Sequence, residues 1–240
     1  MGRVLLLAAV AAAVLASTAG AGAGQAAHEC VRGGELWFYA ADGTKLVGHR
    51  FGKGTTAVIL AHQSEGSLCD WLPYARRLAG KGYFVFPVDF RGYGFSQVRT
   101  GRAANRYAAD LTAAVKAVRR LGKRKVFLVG ASMGGIASLV AGANAKPAVD
   151  GVVSISSPAR YRGMDGVATG PRLRVPVLHL AARGDDNGAY DFSEDAKQLH
   201  AAATSADKRL ELLPGSLHGI GLVAGSTRAT AAVERFLSTH

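Results

Sequence analysis

The chain has 240 residues, 49% of them hydrophobic, and carries 29 Lys and Arg against 17 Asp and Glu, a formal net charge of +12. The basic residues are scattered, no run of five like charges occurs and no nucleic-acid recognition motif accompanies them, so the excess describes a basic surface and nucleic acid is not expected as a partner. No repeat, low-complexity tract or Pro/Gly/Ser-rich linker divides the chain after its first segment, and the length suits one domain with a two-sided core.

Met1–Ala27 opens with Arg3, runs apolar from Val4 to about Ala16 and ends in small residues. Charged, apolar and small blocks in that order are the layout of a secretory signal peptide. The apolar run falls short of the roughly 20 residues that a membrane-spanning helix needs, with an N-terminal membrane anchor as the competing reading. The expectation is a signal peptide over 1–27, a single domain over 28–240, a secreted, extracellular or periplasmic location, and no stable membrane insertion after signal removal. Cys30 and Cys69 are the two cysteines. In an oxidising compartment an even pair is a candidate disulfide, two buried free thiols being the alternative.

After Cys30 the pattern predicts two strands joined at the Ala41-Asp42-Gly43 turn signal. Thr55–His62 is a continuous apolar run, as a strand buried on both faces requires. Leu68, Trp71, Leu72, Ala75 and Leu78 recur at helical spacing and stop at glycine. A strand YFVFPVDF follows, then an amphipathic helix from Asn105 to Leu121, a strand KVFLVGAS and a helix from Met133. Two more strands, VDGVVSIS and VPVLHLAA, precede a helix FSEDAKQLHAAA, a strand KRLELLP and a last helix Thr227–Leu237. Alternating strands and helices predict an α/β fold: a mostly parallel sheet of about eight strands, right-handed crossovers and helices on both faces. Ligand sites in such sheets gather at the carboxyl ends of the strands.

At one such end stands Gly130-Ala131-Ser132-Met133-Gly134-Gly135, a G-x-S-x-G between a strand and a helix. A sharp turn there exposes the Ser132 hydroxyl, tolerates only small residues two positions away, and sets it at a helix N-terminus that stabilises developing negative charge. A serine nucleophile needs a base, and the base needs an orienting acid; where the serine sits on such a strand-to-helix elbow the chain order is serine, acid, histidine. Of seven histidines, His218 alone both follows the serine and sits just past a strand end, where Pro214 and Gly215 break the strand. His179 reads as a core residue, His200 as helical and His240 as terminal. The acid belongs to the loop Arg183-Gly184-Asp185-Asp186-Asn187-Gly188. Neighbouring carboxylates on a loop rarely point the same way, so one faces His218 while the other caps or stays solvated. Asp186 is preferred, with Asp185 the alternative. A calcium-loop reading of this stretch fails on ligand spacing. The oxyanion donors are expected to be the backbone N–H of Met133 and one from the loop His62-Gln63-Ser64-Glu65-Gly66.

These stretches resemble, in order, elements of the α/β-hydrolase superfamily across roughly Glu35 to Leu237. AHQSEGSLCDWLPYARRLAGKGY is similar to its H-G loop and first helix, and DFRGYGFS to its D-x-R-G-x-G-x-S element. GASMGG resembles the nucleophile elbow, LAARGDD the acid loop and PGSLHG the histidine loop. The resemblance implies Ser64 as the second oxyanion donor. One departure stands out: the usual H-G pair is His62-Gln63 here.

The resemblance also implies the machinery of a serine hydrolase, and no motif implies a metal or organic cofactor. Fewer than twenty residues separate Ser156 from Arg174, too few for a large lid, so the site is expected to be open. The expected activity is hydrolysis of carboxylic esters of small or medium substrates through an acyl-enzyme on Ser132. The alternatives are a peptidase- or thioesterase-type acyl hydrolase, and an idle hydrolase fold used for binding or as a scaffold.

Overall fold

The computed structural model describes residues 30–240, and the expected signal peptide lies outside the described residues. The chain begins with β1 (Glu35–Tyr39) and β2 (Lys45–His49), continues through β3 (Thr56–Ala61), a 3-10 turn Leu68–Trp71, α1 (Leu72–Gly80) and β4 (Phe84–Asp89), then α2 (Tyr107–Arg120), β5 (Lys125–Ala131), α3 (Met133–Asn144) and β6 (Gly151–Ile155). A small hairpin of β7 (Arg160–Tyr161) and β8 (Met164–Asp165) leads through α4 (Gly166–Thr169) to β9 (Val177–Ala182), α5 (Phe192–Ala202), β10 (Lys208–Leu213), α6 (Gly219–Gly225) and α7 (Thr227–Thr239). Eight strands form one sheet in the order β1-β2-β4-β3-β5-β6-β9-β10. The β1/β2 and β2/β4 pairs are antiparallel and every later pair is parallel.

Successive strand residues face opposite sides of a sheet, and here both sides are covered. Ile59 and Leu128 join Leu111, Val115, Ile136 and Leu139 of α2 and α3 on one face. Val58, Leu60, Phe127 and Val129 join Leu78, Leu222, Val233 and Phe236 of α1, α6 and α7 on the other. Two covered faces explain the uninterrupted apolar runs. Each such side chain stabilises the fold by roughly 1.5–3 kcal/mol on burial.

The predicted helix from Leu68 is divided. Pro73 has no N–H to give to a helix already running, so the stretch starts as a 3-10 turn and restarts at Leu72, with Pro73 in the first turn where the missing donor costs nothing. Ser67 and Asp70 form a capping box around the turn. Cys30 and Cys69 are joined by a disulfide, with Cα atoms 5.8 Å apart, which ties the chain entering β1 to this turn.

The Asp-Phe-Arg-Gly-Tyr-Gly-Phe-Ser segment is a clamp. Buried Asp89 accepts from Leu68 N (2.8 Å) and Phe95 N (3.1 Å), and Ser96 Oγ donates to Asp89 O while accepting from Val47 N. Arg91, with its side chain wholly buried, is bound by Asp110 (2.6 Å) and Asp42 (2.8 Å). The Arg91 hydrogen bond holds the Asp42 carboxyl well below the usual carboxylate range. A charge this buried is tolerable because its donors are met by oxygens.

Candidate active site

The carboxyl ends of neighbouring strands β3, β5, β6, β9 and β10 deliver, in sheet order, the Gln63–Ser64 loop, Ser132, Ser156, Asp185 and His218. Ser132 sits between β5 and α3 with φ 50° and ψ −117°, a conformation that costs a non-glycine residue about 1–3 kcal/mol and survives only where its surroundings impose it. They do so: Ser132 N donates to Ile155 O (2.8 Å), and Ser132 O accepts from Gly135 N (2.9 Å) and Ile136 N (3.2 Å). A Cβ on Gly130 would collide with the Gly134 carbonyl, and one on Gly134 with the carbonyls of Ala61 and His62. The small-residue spacing read from the sequence is therefore a demand of backbone packed on backbone. Met133 N–H belongs to the first turn of α3, whose amides lack intrahelical acceptors, and Tyr93 Oη contacts Met133 Sδ at 3.8 Å.

The acid and histidine loops leave adjacent parallel strands, in which Ala182 pairs with Leu213. Two further bonds zip them together, Arg183 N to Leu213 O (2.8 Å) and Gly184 N to Gly215 O (2.9 Å). His218 Nδ1 then lies 2.9 and 3.2 Å from the two carboxylate oxygens of Asp185. Asp185 is buried, and its backbone is pinned by Asp185 N to Ala182 O and Phe192 N to Asp185 O. The Phe192 ring packs on the imidazole with centroids 4.3 Å apart.

This geometry corrects the preferred acid. Asp186 points to solvent and accepts from Gly188 N at 2.6 Å, closing a turn of its own loop. One aspartate faces the histidine and the other caps, as expected, with the roles exchanged. The local sequence holds no signal for the choice, because the pin on Asp185 comes from Phe192 across the loop.

The loop after β3 carries the predicted Ser64. His62 is buried, its Nε2 accepts from Phe90 N (3.2 Å), and so its Nδ1 carries the proton given to Gln63 O (2.7 Å). Burial pushes the His62 pKa down, keeping the ring neutral. Gln63 Oε1 accepts from Ile220 N (3.1 Å), and Ser156 Oγ from Gly219 N (2.9 Å); neither side-chain role was read from sequence. Between Ser156 and β9 the described residues hold only the β7/β8 hairpin, α4 and one 3-10 turn, so no large lid is present. A cleft of about 380 Å³ on the flank of the sheet is lined by Trp71, Tyr74, Ile220 and Val223, but not by Ser132, Asp185 or His218. Among the described residues no group of three or more His, Cys, Asp or Glu side chains is arranged to hold a metal ion.

A parallel-rich sheet of this strand order, with a serine elbow after β5 and a histidine loop after the last strand, is the α/β-hydrolase fold. More narrowly, residues 53–169 match the profile of the serine aminopeptidase family S33. No curated protein sequence matches the chain. Among solved structures it is similar to an esterase from Pyrococcus furiosus, with TM-score 0.72, 17% identity, and 85% of this chain and 89% of that one covered. It is also similar to a hydrolase from Pseudomonas aeruginosa (TM-score 0.71, 18% identity, 86% and 99% covered). An esterase from a Rhodococcus species aligns with TM-score 0.68 and 19% identity over 86% and 99%. At these identities the likeness is one of fold.

Proposed function

We propose that the chain is a secreted serine hydrolase that cleaves carboxylic esters of small or medium substrates through an acyl-enzyme on Ser132. The observation that carries this reading is the His218–Asp185 contact of 2.9 Å on the sheet rim that also bears the strained Ser132 elbow.

Asp185 accepts from His218 Nδ1–H, which leaves Nε2 with its lone pair free for a proton. In the proposed reaction Ser132 Oγ attacks the ester carbonyl carbon and Nε2 takes the hydroxyl proton. The carbonyl oxygen gathers negative charge, met by the N–H groups of Met133 and Ser64. The intermediate collapses, the C–O bond to the alcohol breaks, and the alkoxide leaves with the proton from Nε2. Water then gives a proton to Nε2 as its oxygen attacks the acyl carbon; this second intermediate collapses, the acyl C–Oγ bond breaks, and Ser132 Oγ takes the proton back from Nε2 as the acid is released. Each half-reaction returns the imidazole to its starting state.

Esters are favoured over peptides because no acidic pocket for a substrate amine is evident in the sequence, although the matched profile is named for aminopeptidases. Two of the similar structures are described as esterases. The open rim favours small soluble esters over lipid aggregates. Export rests on the layout of Met1–Ala27 and accords with the Cys30–Cys69 disulfide.

The test is labelling of the mature protein with a fluorophosphonate beside Ser132→Ala, the adduct being located by mass spectrometry. An adduct on Ser132 that the variant lacks is expected, together with turnover of p-nitrophenyl esters. A well-folded protein that takes no label would overturn the proposal in favour of an idle, binding fold.

A further inference from the structure

We propose that Gln63 and Ser156 are positioning residues for His218, their side-chain oxygens gripping the two backbone N–H groups that follow it. The inference rests on the reading of His218 as general base. The first N–H groups of a helix have no partner within it. In α6, which starts directly after His218, two of them are taken by side chains distant in sequence. Gly219 N donates to Ser156 Oγ (2.9 Å), and Ile220 N donates to Gln63 Oε1 (3.1 Å).

Both grips are themselves anchored. Ser156 is fully buried, its N–H donates to Leu180 O (2.7 Å), and it holds φ 48°, a left-handed conformation that glycine would adopt without strain. A serine accepts that strain here and its hydroxyl is in use. Gln63 occupies the place of the glycine in the usual H-G pair, and its carbonyl accepts from His62 Nδ1 (2.7 Å) and Gly66 N (3.3 Å). The opposing residue is matched to it: Gly219 holds φ 54°, and a Cβ there would strike Gln63 Oε1.

The consequence is geometric. His218 is half-buried between Phe192 and Asp185, and the histidine loop otherwise runs exposed from Pro214 to Leu217. With the two N–H groups released, the ring is free to drift from Asp185 and from Ser132, and misplacement by about 1 Å can cost roughly 100-fold in rate. The loop after β3 that holds Gln63 also carries Ser64, so Gln63 couples the oxyanion side of the proposed site to the base.

The experiment compares Gln63→Met (similar length, no acceptor), Gln63→Glu (acceptor kept) and Ser156→Gly (backbone eased, hydroxyl removed) with the unsubstituted protein. Two readouts are used: the rate of fluorophosphonate labelling, with kcat and KM on a p-nitrophenyl ester, and the NMR signal of the His218 Nδ1 proton. Gln63→Met and Ser156→Gly are expected to lose roughly 10- to 100-fold in labelling and kcat, with KM within about twofold and a weakened Nδ1 proton signal. Gln63→Glu is expected to restore labelling to within about threefold and to move the acid limb of the pH profile upward, since a nearby carboxylate favours the imidazolium. Should Gln63→Met fail to fold, Ser156→Gly decides by the same readouts. Labelling within twofold of the unsubstituted protein, with an unchanged Nδ1 proton, overturns the inference while leaving the esterase reading intact. If the unsubstituted protein takes no label, the esterase reading falls, and the Nδ1 proton alone decides the positioning role.

Discussion

The Ser132 elbow and the paired Asp185 and His218 loops reach the same rim of the sheet by different physics. At the elbow, backbone packs on backbone: Ser132 hydrogen bonds through its own N–H and carbonyl, and Gly130 and Gly134 leave room that no side chain could share. At the loops, side chains carry the arrangement: a carboxylate on an imidazole, a phenyl ring on its face, and an amide and a hydroxyl under the chain that follows. The comparison teaches that a residue held by local sterics, as Ser132 is, leaves its reason in the neighbouring sequence, whereas contacts made by remote side chains, such as those of Asp185, Gln63 and Ser156, leave none.

The largest expected effect sharpens that contrast at two adjacent residues. Asp185→Asn should lower kcat/KM by roughly 10⁴-fold with the fold kept, because an amide can hold the wrong imidazole tautomer. Asp186→Asn should stay within about twofold, since asparagine still accepts from Gly188 N. Ester hydrolysis assays on the pair decide the matter, and equal losses would refute the assignment of Asp185.

Gly134→Ala attacks the other region. The added methyl meets the carbonyls of Ala61 and His62, which cannot yield without moving α3 off β3. A loss of about 3 kcal/mol in stability is expected, read by urea unfolding, with labelling of Ser132 reduced alongside. An unchanged midpoint would mean that the elbow relaxes more easily than its contacts imply.

A smaller effect separates His218 from a histidine without a site. His179 is buried in β9, neither ring nitrogen has a hydrogen-bond partner among the described residues, and burial, with His200 and Lys208 nearby, pushes its pKa down to about 3. The unfolded chain titrates this group near ~6.5, so between those values it binds more protons than the folded chain. The contribution of neutral His179 to stability is therefore complete above about pH 6.5 and declines as pH falls toward 3. His179→Leu should flatten the fall of Tm between pH 6.5 and 4, with activity at neutral pH little changed. Parallel Tm curves for the two proteins would show that other groups set the acid limit.

The α/β architecture was legible because both faces of the sheet are covered, which wrote strands such as Thr56–Ala61 as uninterrupted apolar runs and helices such as Tyr107–Arg120 as one-sided patterns. The β7/β8 hairpin was not, because two-residue strands carry no periodicity. The placing of Ser132 at a strand-to-helix turn and of His218 past the last strand was legible from motif and strand-end context. The departure at Gln63 was visible in the sequence, but its use was not, since its partner Ile220 lies 157 residues away.

The sequence by itself determined the alternation of strands and helices, and the strand ends at which Ser132 and His218 stand. Those features follow from period, length and steric demand, all of which act over a few neighbouring residues. Tertiary structure alone decided that Asp185 turns inward while Asp186 turns out, and that Gln63 and Ser156 reach the histidine loop. Each of those outcomes depends on a hydrogen-bond partner brought close only when β3, β6, β9 and β10 align in one sheet.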